Sequence, residues 1–151
     1  MIIDVVKTEL EAKECDKLLT KLVNSEAKYD NNIKEKYVVN NWFEKIYKQK
    51  NNIIFIMKDD EKIIAYAYCK ISTSENGPQK NLESILDGLY VEEEYRNKGI
   101  ATKLIEKSKE WSKNNGVKFI KINVLEKNID ALSIYKKQEF ENFERTLRFE
   151  L

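Results

Sequence analysis

The spacing of apolar residues changes at Asn52, and that change constrains the fold more than any other feature of the chain. Before it the period is helical: Leu10, Cys15, Leu18, Leu19, Leu22 and Val23 share one face of a predicted helix from Thr8 to about Tyr29. Thr8 followed by Glu11 forms a capping box at its start. Asp30-Asn31-Asn32 breaks the pattern, and Tyr37, Val38, Trp42, Ile46 and Tyr47 predict a second helix from Ile33 to Lys48. After it, Asn52 to Met57 is a continuous apolar run, as in a central strand, and Asp59-Asp60 turns it into a second strand, Lys62 to Ser72. Residues 73–81, with Gly77-Pro78, read as a loop, and Leu82 to Val91 as another strand. A helix follows from about Lys98 to Asn114 and stops at Asn115-Gly116. Val117 to Leu125 reads as a strand, and Asn128 caps a short helix carrying Ala131, Leu132, Ile134 and Tyr135. With a first strand at residues 2–6 and an alternating segment from Phe143 to Leu151, the order is β-α-α-β-β-β-α-β-α-β-β. That is a mixed α/β sheet, antiparallel in its first half, with a βαβ crossover in its second. No repeat or linker divides the 151 residues, so a single domain spanning 1–151 is expected.

Composition removes several chemistries. The chain has no histidine, which excludes Ser-His-Asp and Cys-His nucleophile pairs and starves zinc sites of ligands, so no metal is expected. Twenty-seven basic against 26 acidic side chains leave a net charge of +1, which argues against a nucleic-acid binder working through a basic face. Cys15 and Cys69 lack a CxxC spacing and read as buried, inert, reduced thiols. No stretch approaches the ~20 apolar residues of a membrane span, and the start lacks the pattern of a signal peptide; no membrane partner and a cytoplasmic location are expected.

The chemistry concentrates where a strand runs through a turn into a helix, from Leu89 to Thr102. A helix opens with unpaired N–H groups and a partial positive charge, an anion site. Gly99 and Ala101 let a bulky ligand approach the backbone, and Arg96 and Lys98 add charge, arginine with a fork that spans two phosphate oxygens. Arginine occurs elsewhere only at 145 and 148, in a chain that otherwise uses lysine. The bland alternative is a tight turn with solvated charges. A Walker A loop and a dinucleotide fingerprint are both excluded, because their glycine spacings are missing.

At these residues the chain resembles the GNAT superfamily of acetyl-CoA-dependent N-acetyltransferases. Arg96-Asn-Lys-Gly99-Ile-Ala101 matches that family's Arg/Gln-x-x-Gly-x-Gly/Ala motif, and Asn128-Ile-Asp-Ala131-Leu-Ser-Ile-Tyr135-Lys-Lys-Gln-Glu-Phe140 resembles its Asn-x-x-Ala-x-x-x-Tyr-x-x-x-Gly-Phe stretch. Glu93 stands where proline is frequent, and Asn97 and Glu139 stand where glycine is frequent. The resemblance implies the acyl-CoA N-acyltransferase fold, with acetyl-CoA as co-substrate. Backbone groups of Leu89, Tyr90 and Val91 would pair with the pantetheine arm. The N–H groups of Arg96, Asn97, Lys98, Gly99, Ile100, Ala101 and Thr102 would hold the pyrophosphate, and Asn128 would touch the cofactor nearby. The thioester would lie where the strand before the motif splays from the strand after the helix. Asn123 is a weaker candidate for contact with substrate or cofactor.

An amine must lose a proton to attack a thioester, and the departing thiolate gains from receiving one. The resemblance makes Tyr135 the acid at sulfur; by position alone it is a core aromatic beside Ala131 and Leu132. Asp87 and Glu83 share a strand face, and Asp87, just before the splay, is the candidate base, directly or through water, or the attractor of a cationic substrate. The base is otherwise a water chain. Asp87-Gly88-Leu89-Tyr90-Val91 and the following motif are similar to a stretch of the aminoglycoside 6′-N-acetyltransferases. The acceptor is a small amine, a polyamine, an aminoglycoside or a protein N-terminus. Tyr29, Tyr37 and Trp42 either line its site or, as their spacing favours, pack in the core. A non-catalytic acyl-CoA-binding sensor or assembly module is the alternative function. The alternating C-terminal strand is one that can pair across a homodimer.

Overall fold

The first helix begins as its capping box dictates. The Glu11 N–H donates to the Thr8 hydroxyl at 3.2 Å, and the Thr8 N–H donates back to the Glu11 carboxylate at 3.1 Å. In the computed structural model, which describes residues 1–74 and 81–151, this helix is α1, Glu9–Glu26. It follows β1, Ile2–Val5, and precedes a short α2, Trp42–Ile46. Then come β2 (Asn52–Asp59), β3 (Lys62–Ser74), β4 (Asn81–Val91), α3 (Ile100–Asn114), β5 (Ile120–Ile122) and α4 (Ile129–Lys137). β3 and β4 reach further into the expected 73–81 loop than their apolar patterns indicate, and Gly77-Pro78 lies outside the described residues.

The strands lie in chain order in one sheet, antiparallel from β1 to β4, with β5 parallel to β4. The parallel pair requires the α3 crossover that the periodicity predicts. Alternate residues of the sheet build two cores. On one face Ile54, Ile56, Tyr66, Tyr68 and Tyr90 pack under α1 and α2, against Cys15, Leu18 and Phe43. On the other, Phe55, Met57, Ala65, Ala67 and Cys69 pack under α3 and α4, with Ile100, Leu104, Ile105 and Tyr135. Ile54 to Met57 are all buried, so β2 is covered on both faces, as its unbroken apolar run predicts. Both cysteines are free and buried, and burial raises both thiols, that of Cys69 to about 12. No helix among the described residues is long and apolar enough to cross a membrane.

Three elements differ from the sequence expectation. The helix expected over 33–48 is only α2; before it the chain is irregular, with left-handed φ at Lys36 (60°) and Asn41 (56°). The cause is hydrogen bonding from α1. Asn24 accepts from the Tyr37 N–H at 3.0 Å and donates to the Tyr37 carbonyl at 3.1 Å. Thr20 accepts from the Val39 N–H at 3.0 Å, and Asp16 from the Phe43 N–H at 2.8 Å. These side chains are four apart on one helix face, and they hold the segment in an extended path that helical bonds cannot share. Tyr37 and Trp42 are consequently 53% and 50% exposed, so neither is core.

β5 is three residues long where nine were expected, because α3 ends in a tight motif that extends through Val117. Val117 N–H bonds to the Ser112 carbonyl and Gly116 N–H to that of Lys113. Finally, no strand forms after α4 among the described residues. Phe143, Leu147, Phe149 and Leu151 are all exposed, and the tail is tied down by Arg148, which bonds Asp30 at 2.6 Å.

Candidate active site

β4 and β5 pair only through Ser84, Leu86 and the residue between them. β5 ends at Ile122, the partner of Leu86, so the edge of β4 has no strand partner from Asp87 to Val91, where the Val91 carbonyl accepts from Arg96 Nε at 3.0 Å. The pairing stops at a bulge. Tyr68 pairs with Gly88 and Cys69 with Leu86, so Asp87 is the extra residue on β4. Its side chain points to solvent and pairs with Lys70 at 2.7 Å. Glu83, the other carboxylate of that strand face, pairs with Lys121 at 3.1 Å.

After Val91 the chain makes a single 3₁₀ turn, Glu93–Tyr95, and bends into α3. Asn97 and Gly99 both take left-handed φ, 62° and 75°. A Cβ at Gly99 would meet nothing within 4 Å, so conformation is what calls for glycine there, and open space stands over it. The first helical bond runs from Lys103 N–H to the Gly99 carbonyl. The N–H groups of Asn97, Lys98, Gly99, Ile100, Ala101 and Thr102 therefore have no acceptor among the described residues. Arg96 is held beside them: its Nε donates to the Val91 carbonyl at 3.0 Å, and its guanidinium lies over the Tyr90 ring at 5.5 Å. The terminal nitrogens stay turned to solvent, 3.9 Å from Glu93 at the nearest. Lys98 donates to the Glu94 carbonyl at 3.0 Å.

α4 follows β5. Asn128 caps it by accepting from the Ala131 N–H at 3.2 Å, which leaves its amide nitrogen available. Tyr135 packs among the α3-side core residues, and its ring meets Phe140 edge-on at 6.0 Å. Burial raises its phenol to about 12, and the charge of Glu26 adds to the shift.

The sequence did not single out Glu26 or Tyr66. Glu26 ends α1, half-buried, its carboxyl raised by burial and by nearby Asp30. Its charge also acts on Tyr66, whose phenol burial holds well above its ordinary value. Glu26 was findable: it falls four residues after Leu22 on the apolar stripe of α1, an acid where the pattern calls for a hydrophobe.

Residues 17–140 match the model of the Acetyltransferase (GNAT) family. The uncharacterized N-acetyltransferase YobR of Bacillus subtilis is 33% identical over 86 residues, 57% of this chain and 32% of that protein. N-alpha-acetyltransferase 30 of Schizosaccharomyces pombe is 30% identical over 97 residues, 64% of this chain and 63% of that protein. The chain thus spans less than two thirds of the curated relatives it matches. Among solved structures, a tetramutant of the BH1408 protein from Bacillus halodurans superposes with a TM-score of 0.89 at 22% identity, covering 100% of both chains. The aminoglycoside N-acetyltransferase AAC(6')-Iy in complex with CoA gives 0.76 at 19% identity, covering 99% of this chain and 98% of that one. At these identities the structural likeness is one of fold. The family match over most of the chain, on the fold and the strand-turn-helix geometry described above, establishes that this protein belongs to the GNAT acetyltransferase family.

Proposed function

We propose that residues 1–151 form a single acetyltransferase domain that transfers an acetyl group from acetyl-CoA to a primary amine in a ternary complex. The acceptor is a small amine, a polyamine, an aminoglycoside or a protein N-terminus. The observation that carries this reading is the end of β4–β5 pairing at the Asp87 bulge, followed along the chain by the run of unpaired N–H groups at the start of α3. The residues present fit coenzyme A. Consecutive free N–H groups at a helix start, with Arg96 and Lys98, suit a pyrophosphate. The edge of β4 without a strand partner at Leu89, Tyr90 and Val91 suits a pantetheine arm laid along it as an added strand, although the Val91 carbonyl already accepts from Arg96 Nε. The Asn128 amide nitrogen is placed to donate to the same ligand.

Acetyl-CoA, as substrate, supplies the activated thioester; the chain supplies alignment and proton movement. Tyr135, kept protonated by burial, gives its Oη proton to the departing sulfur. Asp87, paired with Lys70 at 2.7 Å, draws a cationic amine towards the bulge. Glu26 is a second candidate proton acceptor. Burial and the charge of Asp30 raise its carboxyl, and its own charge acts on the phenols of Tyr66 and Tyr135.

The test is coenzyme A release from acetyl-CoA over a panel of amines. A panel that gives no release above the amine-free rate, with a protein that binds acetyl-CoA, returns the chain to the binding-module reading. Tyr135→Phe lowers turnover on the order of 10²-fold while acetyl-CoA affinity is kept. Equal turnover removes Tyr135 from the mechanism.

A homodimer is part of the proposal. The alternating apolar tail is exposed, and β5 has a neighbour on one edge only.

A further inference from the structure

Tyr66 is fully buried, yet its hydroxyl has no hydrogen-bond partner among the described residues. Two other tyrosines of the fold do have partners. Tyr68 donates to Asn52 at 2.8 Å, and Tyr95 donates to Asp59 at 2.9 Å. A buried hydroxyl without a partner costs free energy that phenylalanine, with the same ring, avoids. Packing alone therefore accounts for the ring and leaves the oxygen unexplained.

The position of that oxygen gives its use. Tyr66 pairs with Tyr90 in the β3–β4 register, but its ring runs down β4 across Gly88. A Cβ at position 88 would lie 3.1 Å from the hydroxyl and 3.2 Å from Cε2. Glycine at 88 is thus what admits the ring, and the hydroxyl comes to lie over β4 beside the bulge where β5 parts from it. Phe43 holds the ring from behind, edge-on at 5.2 Å, and Phe43 is itself fixed through its N–H by buried Asp16. Burial governs this phenol, and the Cys15 thiol, the charges of Glu26 and Asp87 and the phenol of Tyr135 act on it as well.

Resting on the acetyltransferase reading, we propose that the Tyr66 hydroxyl donates a hydrogen bond to the acyl carbonyl oxygen held at the top of the β4–β5 gap, and that Gly88 is retained to let it do so. A donor fixed by packing strengthens as that oxygen gains negative charge, which is the arrangement that favours a transition state over a ground state. Burial keeps the phenol protonated, as a donor must be, and unsuited to act as a base.

The test compares two unreactive ligands by calorimetry: the ketone analogue of acetyl-CoA with methylene in place of sulfur, and S-ethyl-CoA, which has the same two carbons and no oxygen. For Tyr66→Phe, affinity for the ketone falls about 5- to 10-fold, the worth of one hydrogen bond, and affinity for S-ethyl-CoA is unchanged. The variant melts no lower than the parent, because the hydroxyl it loses had no partner. Gly88→Ala, which displaces the hydroxyl without removing it, shows the same selective loss. Equal changes for both ligands, or none, overturn the role of Tyr66 alone. A parent protein that binds neither ligand instead removes the acetyltransferase reading, and this proposal with it.

Discussion

Of the six non-glycine residues with left-handed φ among the described residues, Asn97 and Glu139 stand where the family often has glycine. Asn97 holds φ at 62° in the turn before α3, and Glu139 holds 64° just past α4. Asparagine tolerates that region; glutamate does so at a cost of about 1–2 kcal/mol. Glu139 keeps it because α4 closes on itself there: Phe140 N–H bonds to the Tyr135 carbonyl at 3.0 Å and Glu139 N–H to that of Lys136 at 3.0 Å. The same closure lays Phe140 against the Tyr135 ring. The departure from glycine therefore leaves the turn intact and strains it. Glu139→Gly relieves the strain, and glycine's extra freedom in the unfolded chain takes back part of the gain. Chemical denaturation is expected to show a rise of about 0.5–1 kcal/mol with turnover unchanged. A fall would mean that the glutamate side chain has a role of its own. At this scale the strand-turn-helix at Arg96–Thr102 is legible in its residue types and spacing, whereas Tyr135 stands out only through the family resemblance, since by position alone it is a core aromatic. Tyr66 is not legible, because a tyrosine in an alternating strand looks the same whether or not its hydroxyl has a partner.

The elements that rest on local bonding followed the sequence; those set by distant side chains did not. The Thr8–Glu11 box and the β2–β3 hairpin are closed within a few residues, and both formed where expected. The segment from 33 to 41 has helical spacing, yet Asp16, Thr20 and Asn24 occupy its backbone groups from another helix. Nothing within the segment records that competition. Asp16 also carries a testable pH dependence. Burial raises its carboxyl above 3.8, against hydrogen bonds from the start of α2 that lower it. The folded state therefore holds this proton more tightly than the unfolded one. Ionisation costs stability as pH rises from about 3.8 through the folded value, and no further change follows above it. Asp16→Asn keeps an acceptor for the Phe43 N–H and cannot ionise. Its stability relative to the parent is expected to improve across that window in a pH series of denaturant melts. A constant difference at every pH would show that Asp16 is not shifted.

The whole molecule is a sheet with one unfinished side. β1 to β4 are paired along their lengths, and β5 meets β4 over three residues and leaves its outer edge open. The C-terminal tail, whose alternation reads as strand, finds no strand to join among the described residues, since the alternating pattern records a preference and not a partner. Four large apolar side chains left exposed beside an open edge make a surface that a second copy can cover. Sedimentation is expected to give a dimer for the full chain and a monomer for a chain ending at Asn142; a monomeric full chain sinks the dimer. With a net charge of +1, no long-range field selects the acceptor. Under the proposed function, attraction for a cationic acceptor is local, from Glu26 and from Asp87 beside the bulge, and composition does not name that acceptor.

The bonds from α1 to the 37–43 segment touch its main chain, while Phe43 anchors it in the core and the side chains of Tyr37, Val38 and Trp42 stay exposed. A backbone held in this way tolerates exchange at 37, 38 and 42 without moving. Under the proposed function, libraries confined to Tyr37, Val38 and Trp42 test whether this exposed surface sets acceptor preference while α1 stays as it is.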